Sequence, residues 1–319
     1  MSAPELLAQL RALDVRVWAE GERVRLSAPR GRLTAELRSQ LAAEKEEILS
    51  FLRTARTANA PATAVVAVQR AGAQPPFFAV PGHNGDVFCY VHLSRHLGAE
   101  QPFYALQPPG VDGSRPPLDT IGDLAAHFAR ELRAFASGPY RIGGFCVGGS
   151  VAFETARQLV ESGERVELLA LFGSAHPNAF RASSPLRQSV SELASRIGKQ
   201  VALLRHSPAA QMRRLAHLTA QRALHGSHRR SVERATMSAI RRYEPRPFQG
   251  GVTLFLPNAS WAASPDRPLD WRTVAVQGIE TVAGPADCDG DTMLREPHVR
   301  WLAAELRARL RRVSQTSQR

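Results

Sequence analysis

Residues 141–150 read RIGGFCVGGS, and one side chain in that stretch can do covalent chemistry. Cys146 lies between Gly144 and Gly148, a G-x-C-x-G pattern, after an apolar strand-like run and before a helical one. A nucleophile at a sharp strand-to-helix turn is lifted clear at the end of a sheet, and the flanking glycines let neighbouring backbone pass close by. The start of the following helix also favours a thiolate and a developing oxyanion. Glycine-flanked cysteines are common in cores, so the pattern carries weight only through its strand and helix flanks. Upstream, VPGHNGD (residues 80–86) leaves another strand through a glycine turn. In hydrolase folds such a loop supplies one oxyanion N–H, and the residue after the nucleophile supplies the other. Here those donors are the amides of His83 and Val147; the bland alternative for the loop is a tight turn.

The elements that position these residues follow from periodicity. Residues 4–13 place Leu6, Leu7, Leu10 and Leu13 at helical spacing. VRVWAEGERVRLSAP alternates about Gly21 as a hairpin, and residues 31–53 follow as a helix or helix pair. Residues 1–55 therefore form a small αββα domain. Residues 56–75, rich in Ala, Thr and Pro, are expected to be a linker. From residue 76 to about 314, strands at 77–80, 103–106, 140–145, 166–172, 251–256 and 278–282 alternate with helices at 87–97, 120–136, 149–162 and 297–312. That rhythm predicts an α/β fold with a parallel sheet covered on both faces. Residues 181–243 interrupt it with a helical, strandless stretch, expected to be a lid over the carboxyl ends of the strands.

Bulk properties narrow the classes. The chain has 319 residues, 44% hydrophobic and 22% charged, with no apolar run long enough to span a membrane. The start of the sequence has no basic-then-apolar secretion pattern, and three scattered cysteines make neither a disulfide framework nor a zinc site. A cytoplasmic location is expected. The net charge is +12, and residues 181–243 alone hold thirteen Lys/Arg against Glu192 and Glu233. Such a surface suits an acidic partner. No recognition-helix, zinc-finger or RNA-binding motif accompanies it, which argues against nucleic acid.

Residues 76–312 resemble the thioesterase domains of nonribosomal peptide and polyketide assembly lines. The resemblance rests on FFAVPGHNGDVFCYVHLSRHLG, PFYALQPPGVDG, GPYRIGGFCVGGSVAFETARQL, ERVELLALFGS and TMLREPHVRWLAAELRARL. The first 55 residues resemble a tubulysin-type (TubC-like) N-terminal docking domain, through VRVWAEGERVRLSAPRGRLTAELRSQLAAEKEEIL. The first resemblance implies an α/β-hydrolase with a helical lid and no cofactor of its own, whose nucleophile takes an acyl chain from the phosphopantetheine arm of a carrier protein. The second implies a partner in the C-terminal tail of an upstream synthetase, often with homodimerisation.

Two departures stand out against the family pattern. The family's acid usually ends the strand after the nucleophile helix, where this chain has Gly173 in LALFGSAHP. The family's histidine usually precedes TMLREPHV, where this chain has Gly290 in CDGDTMLREPHV. His298 belongs to the REPHV segment and is expected to be structural. His176, three residues past Gly173, is the candidate replacement base, with Asp289 or Asp291 orienting it; Asp266, Asp270 and Asn258 are further candidates.

These residues leave three readings. A thiol is intrinsically nucleophilic and partly ionised at neutral pH, whereas serine needs a base. The first reading is therefore acyl-thioester processing in trans, with Cys146 holding the acyl group for transfer or cyclising release. The second is a chain-releasing thioesterase with a relocated base. The third is an inactive docking adaptor.

Overall fold

The computed structural model describes residues 6, 10, 15–20, 23–27, 33–54, 64–182 and 228–317. The N-terminal unit pairs β1 (Arg16–Glu20) with β2 (Arg23–Ser27) antiparallel, setting Val17 opposite Leu26. Two helices follow, α1 (Ala35–Ala43) and α2 (Lys45–Thr54). Thr34 caps α1 by accepting the Leu37 N–H at 3.2 Å. Leu6, Leu10, Val15, Leu37, Leu41, Ile48 and Leu49 bury together with Phe88 packed against them, and of the expected first helix only residues 6 and 10 are described.

The larger sheet has seven strands in the order β3 (Val65–Gln69), β5 (Phe103–Leu106), β4 (Phe77–Val80), β6 (Tyr140–Phe145), β7 (Val166–Phe172), β8 (Val252–Leu256) and β9 (Ile279–Ala283). Every pairing is parallel except β3 with β5. The expected linker 56–75 is corrected here, because β3 lies inside it as an edge strand. Val65, Val66 and Val68 supply β-branched side chains suited to a sheet, and the surrounding Ala, Thr and Pro hide that signal.

Helices cover both faces: α3 (Val91–Leu97), α4 (Ile121–Phe135), α5 (Val147–Glu161), α6 (Pro177–Ala182), α7 (residues 228–242) and α8 (Val299–Ser317). α4 starts at Thr120, which accepts the Asp123 N–H at 3.0 Å, and buries Ile121, Leu124, Ala125, Phe128 and Leu132 along one stripe. α5 is buried on nearly all sides, as befits the helix behind the central strand. Of the expected lid, residues 183–227 lie outside the described residues; α6 and α7 are its two described ends.

Trp271 anchors the floor under these ends. It is fully buried, its ring 4.8 Å from Phe153 of α5 and 4.9 Å from His176, and its indole N–H donates to the Ser174 carbonyl at 3.2 Å. Trp271→Ala is expected to cost about 3–5 kcal/mol, read as a lower midpoint in urea unfolding. A loss under about 1 kcal/mol would contradict this anchoring role.

Candidate active site

β6 runs up the middle of the sheet and ends at Phe145; Cys146 is the turn residue and α5 begins at Val147. Cys146 adopts φ 53° and ψ −127°, outside the regions that side-chain-bearing residues favour. Such strain costs about 1–3 kcal/mol and is sustained by its surroundings. The Cys146 N–H donates to the Phe172 carbonyl at the end of β7, and its carbonyl accepts from Gly149, both at 3.0 Å. The flanking glycines match the expectation from spacing. A Cβ on Gly144 would lie 2.2 Å from the Gly148 oxygen, and one on Gly148 would lie 2.2 Å from the Pro81 oxygen. Backbone from β6, α5 and the 80–86 loop thus converges where no side chain fits.

The 80–86 loop turns through a Gly85 N–H to Gly82 carbonyl bond of 2.9 Å. Asp86 accepts from Phe88 N–H and starts the short helix Val87–Tyr90. The His83 side chain is half-buried, its Nε2 lying 3.5 Å from Glu233 of α7. The Val147 N–H faces the Cys146 sulfur and lowers its pKa.

Other influences on the sulfur overturn one expectation. Burial pushes the Cys146 thiol up, and the carboxylates of Asp266 and Asp291 push it further in the same direction, outweighing the Val147 N–H. The start of α5 does not make the resting residue a thiolate; it is a thiol. Its alkylation by iodoacetamide, followed on the Cys146 peptide by mass spectrometry, is expected to rise with pH about a midpoint above that of a free cysteine, about 8.5. Asp266→Asn removes an anion that disfavours the thiolate, so the midpoint moves down. A wild-type midpoint at or below the free-cysteine value would refute this electrostatic picture.

The two glycines expected at the family's acid and histidine positions differ from each other. Gly173 closes β7 with φ +49°, its N–H donating to the Phe255 carbonyl at 2.9 Å. A Cβ there would lie 2.8 Å from the sulfur of Met293, which is fully buried. Met293 takes the room an acid would need. Gly290 has no positive φ and open space where its Cβ would stand.

Each candidate replacement has its own local partners. His176 is buried; Nδ1 accepts from the Asn178 N–H at 3.3 Å, and Nε2 is buried without a hydrogen-bond partner among the described residues. Burial lowers its pKa to about 4, with Arg181 and Arg267 adding to that and Asp270 opposing it. The imidazole is therefore neutral at pH 7, and its accepting nitrogen is already engaged. Its backbone N–H donates to the Asp266 carbonyl at 3.0 Å. Asp289 is exposed, and its carboxylate accepts the N–H groups of Asp291 and Thr292 at 2.9 and 2.8 Å. The Asp289 carboxylate, expected to orient His176, is thus engaged in its own turn, and Asp270 is an acid whose charge acts on the His176 ring. Asp270 also pairs with Arg267 at 2.7 Å. Asn258 accepts from Trp261 N–H and donates to the Cys288 carbonyl, a loop-bracing role. His298 lies just before α8 with Nε2 3.3 Å from Asp287. Asp266 and Asp291, the acids acting on the thiol, were named from the sequence only as candidate partners of a relocated base, not as residues acting on Cys146.

Residues 75–291 match the family model of the thioesterase domain. The chain belongs to the thioesterase family. Residues 4–54 match the TubC N-terminal docking domain. Among curated relatives, the chain is 38% identical over 133 residues to indigoidine synthase of Dickeya dadantii, covering 41% of this chain and 9% of that protein. It is 36% identical over 115 residues to a dimodular nonribosomal peptide synthase of Bacillus subtilis, covering 35% and 5%. The thioesterase chain thus matches less than a tenth of either relative's length. Among solved structures, the holo form of a four-domain nonribosomal peptide synthetase aligns with TM-score 0.60 at 22% identity, over 80% of this chain and 21% of that one. The NocB thioesterase domain, in covalent complex with a fluorophosphonate nocardicin G analogue, aligns with TM-score 0.56 at 21% identity, over 75% and 96%. These structural likenesses establish the α/β-hydrolase fold. Among the described residues no helix is long and apolar enough to cross a membrane.

Proposed function

We propose that this thioesterase processes acyl thioesters in nonribosomal peptide or polyketide assembly, taking an acyl chain from a carrier protein onto Cys146 and passing it to another acceptor rather than to water. One observation carries the reading: a cysteine occupies the nucleophile turn while glycine occupies both family partner positions, one of them filled in by Met293. In the transfer step the Cys146 sulfur attacks the thioester carbonyl. A bond from that sulfur to the acyl carbon forms, the pantetheine carbon–sulfur bond breaks, and the thiol proton ends on the departing sulfur. The amides of His83 and Val147 are the donors for the oxyanion. One thioester replaces another, so the step is close to thermoneutral and consumes no base. Hydrolysis would require water to lose a proton, and a base for that is what Gly290 lacks. Cyclising release and transfer to a second thiol both fit. The TubC-type domain is read as the receiver of an upstream synthetase tail, working as a homodimer. The basic surplus of residues 181–243 suits an acidic carrier domain bearing phosphopantetheine.

Intact-protein mass spectrometry with an acylated carrier protein tests this, comparing wild type, Cys146→Ala and His176→Ala. A persistent adduct lost only in Cys146→Ala, with transfer to an added thiol and little free acid, is expected. Rapid free acid that collapses in His176→Ala would instead mean a hydrolase with a relocated base. No adduct with any acyl donor would mean a docking adaptor.

A further inference from the structure

Tyr90 closes the short helix that follows the 80–86 loop and is fully buried, its ring 5.4 Å from Phe103. Its hydroxyl donates to the carbonyl of Val80, the last residue of β4 and the one from which that loop departs. The same carbonyl, with that of Pro81, presses on Gly148 in the first turn of α5, where an added Cβ would stand 2.6 Å from it. The phenol oxygen in turn faces the Phe145 N–H, one residue before the nucleophile. The buried hydroxyl is thus bonded to the peptide entering the oxyanion loop and lies beside the peptide entering the nucleophile turn.

We infer that Tyr90 is a positioning residue for oxyanion stabilisation, its hydroxyl setting the 80–83 backbone against α5 so that the His83 and Val147 N–H groups converge on one point. The inference rests on the acyl-transfer reading above. The Val80 carbonyl has no freedom to turn away while it holds the Tyr90 hydroxyl, and its orientation sets the direction of the chain through Pro81 and Gly82. Losing the hydroxyl takes a buried donor away from that carbonyl. The cheapest remedy is rotation of the loop peptide, which moves the amide of His83 off target. Oxyanion donors act through sub-ångström placement, and about 1 Å of displacement can cost about 10²-fold.

The test compares wild type with Tyr90→Phe, which keeps the ring, and with Phe103→Leu, which loosens the same packing but keeps the hydroxyl. Acylation of Cys146 by an octanoyl-pantetheine thioester is followed by mass spectrometry across donor concentrations. Alkylation of Cys146 by iodoacetamide, which builds no oxyanion, is measured in parallel. Tyr90→Phe is expected to slow saturating acylation by about 10–10²-fold with the half-saturating concentration and the alkylation rate unchanged. Phe103→Leu is expected to retain acylation per folded molecule. Equal losses in acylation and alkylation, or an acylation loss in Phe103→Leu as large as in Tyr90→Phe, would reduce Tyr90 to a packing role. Acylation of Tyr90→Phe at the wild-type rate overturns the positioning role alone. A wild type that takes no acyl group overturns both the transfer reading and the positioning role built on it.

Discussion

Cys146→Ser is expected to lower acylation by about 10²–10⁴-fold, although serine is the commoner nucleophile at this kind of turn. The two side chains are nearly isosteric, and serine is the better helix N-cap, so α5 and the strained turn should survive the exchange. What changes is the need for a base. A thiol reaches a reactive thiolate at modest cost even when burial and two carboxylates push its pKa up, as they do here. A hydroxyl has no comparable ionised fraction and depends on an imidazole within hydrogen-bond reach. The sequence puts glycine at 290, where that imidazole is expected, and the candidate replacement, His176, has its accepting nitrogen bound to Asn178. Single-turnover acylation by an acyl-pantetheine, read by intact mass, gives the ratio directly. Urea unfolding of Cys146→Ser should match wild type to within about 1 kcal/mol, which separates chemistry from folding. Retention of acylation within tenfold would mean that a base does serve this turn, and the transfer reading would give way to a relocated triad.

Much of the architecture was legible because the periods are strong. β7 carries the apolar run Leu168–Phe172, and α4 repeats its apolar residues at three and four, so both element type and place could be read. β3 could not. Its three valines sit in an Ala- and Thr-rich stretch, and it joins the sheet only by antiparallel pairing with β5, a long-range choice that local composition does not report. Of the expected lid, only the flanks fall among the described residues, including α7, whose Glu233 stands beside His83.

The site divides along the same line. Gly144-x-Cys146-x-Gly148 was readable because backbone crowding demands glycine at fixed offsets, and the structure shows the Gly148 and Pro81 oxygens occupying that space. The polarity of the pocket was not readable. Asp266 sits on the loop after β8 and Asp291 on the loop after β9, so their effect on one sulfur depends on how two distant connections fold over the sheet. A helix start facing a cysteine suggested a thiolate; burial and two anions from elsewhere in the chain reversed the direction. Tyr90 was invisible for a related reason: a buried tyrosine gives no sequence sign of which carbonyl its hydroxyl meets.

The contrast between the two glycines makes hydrolysis something that can be installed. Gly290→His is expected to raise free-acid release from acylated Cys146 by about 10²-fold, the low end of what a positioned acid–base group supplies. Gly290 has no positive φ and nothing within 4 Å of its Cβ direction, so the imidazole enters without strain. It arrives on the loop of Asp291, whose charge already acts on the thiol. That carboxylate and Asp289 favour the imidazolium and so raise the basicity of the ring. The low end applies because nothing orients the ring: the room for the family's acid at Gly173 is filled by Met293. Adding Gly173→Asp alone would press its Cβ into the Met293 sulfur at 2.8 Å, whereas pairing it with Met293→Ala opens the space. Aspartate is among the side chains that tolerate the φ of +49° found there. The triple variant Gly290→His, Gly173→Asp, Met293→Ala should release acid faster than Gly290→His, at a stability cost of about 2–5 kcal/mol from the methionine. Free acid against transferred acyl, measured together by liquid chromatography and mass spectrometry, gives the partition between water and thiol. If the alkylation midpoint of Cys146 falls in Gly290→His while free acid stays at the wild-type level, water activation is not what limits release. Protection of the acyl group would then have to come from excluding water, and the glycine at 290 would be its consequence rather than its cause.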